Sequence, residues 1–94
     1  MEEARCVSLR IHGRVQGVFY RANARAKGAR LGLSGWVRNC DDGTVEALAS
    51  GPAESIEEYI AWCHRGSPAA RVGRIEIRDV PPDNTLSDSF DVRP

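Results

Sequence analysis

The 94-residue chain carries no net charge, because thirteen Lys and Arg balance thirteen Asp and Glu. A general polyanion binder is usually basic, so this balance argues against a nucleic-acid partner. No apolar run approaches the roughly 20 residues of a membrane span, and no cleavable signal peptide opens the sequence. Cysteine is sparse. Cys6, Cys40 and Cys63 are odd in number, form no CxxC pair and have only His12 and His64 beside them, so no zinc spacing can be drawn. A secreted disulfide scaffold uses an even and denser set, which points to a reducing, cytoplasmic setting. The three thiols then read as small, partly buried apolar residues, with a Cys6–Cys40 bridge left open. Disorder is excluded as well, because 41% of the residues are hydrophobic and 28% charged. What remains is one soluble domain spanning residues 1–94, long enough to bury a core without staples.

The zero total conceals an asymmetry. Residues 1–40 hold eight basic and two acidic groups, a balance of +6, while residues 41–94 hold five and eleven, a balance of −6. A basic half signals either a local anion site or a solvated face. Arg supplies twelve of the thirteen basic groups, which suits planar, bidentate anion contacts or reflects a surface bias.

Alternation of Val7, Leu9 and Ile11 with Ser8, Arg10 and His12 predicts a strand over Cys6–His12 with one buried face. Gly13 to Gly17 breaks it. A helix is predicted from about Arg21 to Leu33, with Ala22, Ala26, Ala29 and Leu33 on its inner face and Gly32 or Gly35 ending it. Trp36–Asn39 reads as a second strand, Asp42-Gly43 as a hairpin turn, and Thr44–Ala49 as a third strand with Val45, Ala47 and Ala49 inward. Gly51-Pro52 opens a second helix with Ile56, Tyr59, Ile60 and Cys63 buried, closed by Gly66 and Pro68. Arg71–Asp79 follows as a strand with Ile75 and Ile77 inside, then a surface loop over 81–89 and a short strand at Phe90–Val92. The order βαββαβ, with both helices able to cover one face, gives an α+β sandwich of the split βαβ kind.

Chemistry concentrates at the first strand–helix junction, Val15-Gln16-Gly17-Val18-Phe19-Tyr20-Arg21. The segment has no proline, so every amide N–H is available, and Gly17 lets the chain curl until several converge. Converging amides before a helix N-terminus form an anion nest. Arg21 is a cation in the first helical turn, a placement that costs about 0.3–1 kcal/mol where exposed. Its guanidinium either serves the same phosphate, points to solvent or meets a carboxylate. The nucleotide P-loop pattern GxxxxGK[ST] and the dinucleotide pattern GxGxxG are both absent. A cysteine phosphatase needs an arginine six places after its thiolate, and here those places hold His12, Glu46 and Ala69. Asn39, at a strand end before the Cys40–Gly43 turn, either serves the turn or offers an amide that can orient a water.

Gly13 to Arg21 resembles the first acylphosphatase signature. Gly35-Trp36-Val37-Arg38-Asn39, followed by Gly43, Val45 and Gly51, resembles the second. Together they span 26 of the 94 residues, and the element order and near-whole length fit the same family. The resemblance implies a ferredoxin-like α/β sandwich with an antiparallel sheet and two helices on one face. It implies an enzyme that hydrolyses acyl phosphates, with no metal or other cofactor. By position, Arg21 is similar to the family's phosphate-binding arginine, Asn39 to its water-orienting asparagine, and Val15, Gln16, Gly17, Val18, Phe19 and Tyr20 to its phosphate loop. The implied partners are a small acyl phosphate and inorganic phosphate, as product and inhibitor, with no nucleic acid or membrane and a monomeric state.

Such a reaction fits so sparse a site, because the leaving carboxylate is stable as an anion and needs little acid help. Loop amides and Arg21 would hold the phosphoryl oxygens while Asn39 holds the water in line. Three other readings stand beside this one. A ferredoxin-like sheet can bind RNA, but only six aromatic residues are present to stack bases. A non-catalytic phosphate-binding regulatory module would keep the loop and Arg21 yet have no use for Asn39. The acylphosphatase-like domain of carbamoyl-transferring maturation proteins begins a longer chain, whereas this sequence is expected to stand alone.

Overall fold

A computed structural model describes residues 3–82 and 86–94. The chain runs β1 (Ala4–Arg14), α1 (Tyr20–Arg30), β2 (Ser34–Asn39), β3 (Val45–Pro52), α2 (Ala53–Arg65), β4 (Arg71–Asp79) and β5 (Phe90–Arg93). Five strands form one sheet in the order β4-β1-β3-β2-β5. Helix α1 lies over β2 and β5, α2 over β1, β3 and β4, and the two helices touch each other. The fold is the ferredoxin-like α+β sandwich. No helix among the described residues is long and apolar enough to cross a membrane.

Alternation fixes the register. Val7, Leu9 and Ile11 pair with Ala49, Ala47 and Val45, and all six are essentially inaccessible to solvent. Val37 pairs with Ala47 from the other side. Small residues on the central β3 leave room above the sheet for Ile56, Tyr59 and Cys63 of α2, which join the same core. All three cysteines are unbridged, Cys6 and Cys63 buried and Cys40 half-buried.

The sheet is mixed rather than wholly antiparallel. The β1–β3, β1–β4 and β2–β3 ladders are antiparallel, but β5 runs parallel to β2. The connection from β4 crosses to the opposite edge of the sheet, and the closing strand arrives in the same sense as β2. Of the predicted 81–89 loop, residues 83–85 lie outside the described residues.

Helix α1 turns a different face inward from the expected one. Ala22, Ala26 and Ala29 are exposed, and the buried residues are Tyr20, Ala24 and Gly28. The reason is the ring of Phe90. A methyl group built on Gly28 would stand 2.5 Å from it, so the aromatic from β5 occupies the space that a side chain at 28 would need. Alanines on several sides of a helix give no strong stripe, and the tightest approach decides which face is buried. The helix also stops earlier, at Arg30, with Leu31 as C-cap and Gly32 at φ 72°.

Two further expectations shift at element edges. Pro52 ends β3 and caps α2 rather than lying inside its first turn. Ile77 is 42% exposed because β4 is an edge strand that α2 covers only in part. The inward position at Ile75 holds, half-buried against the core.

Candidate active site

Between β1 and α1 the chain makes a tight curl with two left-handed residues, Gly17 at φ 75° and Phe19 at φ 63°. Phe19 is the only non-glycine residue with positive φ among the described residues. It is also the N-cap of α1, and its side chain makes no capping hydrogen bond. A left-handed aromatic residue costs about 1–3 kcal/mol, and a missing polar cap about another 1 kcal/mol. The segment must therefore be held from outside.

Three contacts hold it. The buried Tyr20 hydroxyl donates to the Cys63 carbonyl at 2.7 Å, and its ring packs against Trp62 with centroids 5.3 Å apart. Burial pushes the Tyr20 phenol far above its usual range, so it stays a donor. The Ser67 hydroxyl donates to the Val18 carbonyl at 2.8 Å. The Gln16 side-chain amide donates to the carbonyls of Cys40 and Thr44, each at 2.8 Å. With Val15, Val18 and Tyr20 buried, the amides are left as the loop's free polar groups. None from Gln16 to Ala22 donates to a backbone carbonyl among the described residues. No acidic residue lies in the first turn of α1, so its positive dipole end is open to an anion.

The β2–β3 turn is equally well tied. Asp42 accepts from the Thr44 amide at 3.0 Å and from its hydroxyl at 2.6 Å. These two bonds hold the Asp42 carboxyl below its ordinary range. Arg10 adds a 3.0 Å bond to the Thr44 hydroxyl. Asn39, the last residue of β2, precedes this turn. Its side-chain Oδ1 is buried and has no hydrogen-bond partner. A buried unpaired carbonyl costs about 1–3 kcal/mol, so Asn39 Oδ1 has an open acceptor position.

The charge asymmetry resolves across the fold. Arg5 pairs with Glu57 and Asp79, Arg10 with Asp42 and Glu46, Lys27 with Glu58, and Arg38 with Glu46. Each links the basic first half to the acidic second half. Arg21, like Arg14, Arg25 and Arg30, makes no ion pair among the described residues, whereas the other four basic residues of 1–40 do.

Arg21 and Asn39 line the same cavity, of about 270 Å³, with Val15, Gly17, Phe19, Tyr20 and Ala22. Gln16 and Val18 stand outside it. Their side chains serve the turn and the core instead, a division that loop membership alone does not reveal. Ser67, which steadies Val18, carries no sequence signal at all. Among the described residues, no three His, Cys, Asp or Glu side chains gather where they could hold a metal. Among the described residues no carboxylate, imidazole or thiol lines the cavity, and burial pushes the Cys63 thiol up to about 12. The arrangement offers a ring of N–H donors, one guanidinium and one amide oxygen.

Residues 7–92 match the family model described as acylphosphatase. The chain belongs to the acylphosphatase family. It is 58% identical over 86 residues to an acylphosphatase of Azoarcus sp. (strain BH72), covering 92% of this chain and 86% of that one. Its structure matches that of an acylphosphatase from Coxiella burnetii with a TM-score of 0.90 and 34% identity, over 96% of this chain and 93% of the other. The same fold forms 12% of the T. kodakarensis HypF chain, with a TM-score of 0.83 and 27% identity. Acylphosphatase membership makes the chain a hydrolase, and the matched span contains the whole cavity.

Proposed function

We propose that this single domain hydrolyses acyl phosphates to a carboxylate and inorganic phosphate, with phosphorus as the point of attack. The observation that carries the reading is the pairing, in one cavity, of an unneutralised guanidinium with a buried amide oxygen that lacks a donor. A phosphate-binding module needs the first and gains nothing from the second.

The phosphoryl group sits among the amides of Gly17 to Arg21, with the Arg21 guanidinium on its oxygens. Asn39 Oδ1 accepts one proton of a water and aims its lone pair at phosphorus. The water oxygen bonds to phosphorus as the bond to the acyl oxygen breaks, and that electron pair leaves with the carboxylate. Because no protein base lines the cavity, the proton of the water passes to a phosphoryl oxygen of the substrate. Catalysis is positioning plus stabilisation of charge on the phosphoryl oxygens, and fixed donors need no reorganisation to supply it. Inorganic phosphate occupies the same amides and competes.

Turnover of benzoyl phosphate by the purified protein, followed as ultraviolet absorbance loss and released phosphate, tests this reading. Hydrolysis with competitive inhibition by phosphate is expected. Phosphate binding without hydrolysis would return the chain to the regulatory-module reading.

A further inference from the structure

The site holds one group that the hydrolysis does not use. Phe19 lines the cavity, yet its side chain is 80% exposed and joins no aromatic pair. Its backbone stands at φ 63°, ψ 20°, a conformation that favours Gly or Asn, and at an N-cap that favours Ser, Thr, Asn or Asp. The fold gains nothing from a large aromatic ring there. Its place in the cavity lining makes it available to whatever the cavity holds.

An acyl phosphate has two unlike ends. The phosphoryl end needs the amides, Arg21 and Asn39. Of the remaining lining, Val15 and Tyr20 are buried, while Phe19 and Ala22, on the loop and first helical turn, are uncharged and exposed. In-line attack sends the acyl group out on the side of phosphorus away from the water. Asn39 holds the water from the β2 wall, and Phe19 stands on a different wall, the loop before α1.

We propose that the Phe19 ring is the platform on which the acyl group stacks, and that the site selects acyl phosphates with aryl or bulky apolar acyl groups over small ones. This rests on the hydrolytic reading above and deepens it. The ring excludes water from one side of the acyl carbon skeleton, a contact that grows with the apolar area of the acyl group.

Two variants test it, F19N and F19W, assayed on benzoyl phosphate and acetyl phosphate. Asn accepts the left-handed backbone and caps the helix, so F19N keeps the loop while removing the ring. Dividing each variant's ratio of kcat/KM values, benzoyl over acetyl, by the parent's ratio cancels the intrinsic reactivities of the two anhydrides. The ratio should fall about tenfold in F19N, the scale of an aromatic contact, and stay within about twofold in F19W. An unchanged ratio in F19N, or an equal fall in both variants, overturns the platform while leaving hydrolysis standing. A parent protein inert on both substrates overturns the hydrolytic reading and the platform with it.

Discussion

The side-chain nitrogen of Gln16 lies 2.8 Å from the carbonyl oxygen of Cys40, and Cys40 is the residue after Asn39. A second bond of equal length reaches Thr44 across the turn. The loop that carries the anion donors and the turn that fixes Asn39 therefore move as one body. Gln16 lies outside the cavity lining, so in the proposed mechanism it is a positioning residue, tying the loop to the turn beside Asn39.

Gln16→Met keeps the side-chain length and loses both bonds. Its kcat on benzoyl phosphate should fall about 10²-fold, the cost of displacing a reacting group by about an ångström. Competitive inhibition by phosphate should change far less, since the loop amides remain. In the Q16M/N39A double variant the losses should not add, because Gln16 acts through Asn39. Additive losses would show that Gln16 serves the fold alone.

Arg21→Gln removes the guanidinium that has no other partner among the described residues. Turnover should drop by at least about 10²-fold, and phosphate should no longer compete at millimolar concentration. Normal inhibition would remove Arg21 from phosphate binding.

Asn39→Ala deletes the unpaired amide oxygen and should cut turnover by at least about 10²-fold without loss of the anion site. The check is thermal: phosphate added at many times its Kd should still raise Tm, as any ligand of the folded state does. Hydrolysis at the parental rate would sink the water-orienting role.

Gly28→Ala drives a methyl group into the Phe90 ring, 2.5 Å away. Overpacking of this kind costs about 1–3 kcal/mol, and each kilocalorie lowers Tm by roughly 4–8 °C in a domain of this size. Scanning calorimetry measures it, and an unchanged Tm would mean that α1 and β5 separate more easily than their packing indicates.

Asp42 sets a pH dependence of stability. Its carboxyl is held below the ordinary Asp value near 3.8 by the Thr44 hydroxyl and amide, so the folded protein favours the charged form. That stabilisation is present above the ordinary value and is lost as pH falls from there through the lower folded value. The Tm difference between the parent and Asp42→Asn should be constant from about pH 5 to 8 and narrow below about pH 4. A difference independent of pH throughout would refute it.

Patterns with a short period were legible in the sequence. Val7, Leu9 and Ile11 face the core because a strand alternates, and Val45, Ala47 and Ala49 follow for the same reason. The inner face of α1 was not legible, because Gly28 is buried by a ring from residue 90 and no local period carries that information. The parallel arrival of β5 is likewise a property of its partner β2. At the site, residue types at fixed spacing brought Arg21 and Asn39 forward, and the structure sets both on one cavity. The hold of Gln16 on the turn spans 24 and 28 residues, and that of Ser67 on Val18 spans 49. Such tertiary ties leave no trace in neighbouring residues.

Those long-range ties bear on how the molecule assembles. Arg21 and Asn39 leave the ribosome early, but the loop is clamped from Cys63 and Ser67, and β1 completes its pairing only with β4. Contacts this distant in sequence slow folding, because loop-closure entropy is spent before the contacts form. A nascent chain thus carries its anion-seeking cation well before it has anywhere to hold a substrate. The loop's clamp is complete only once α2 and the Ser67 turn behind it are in place.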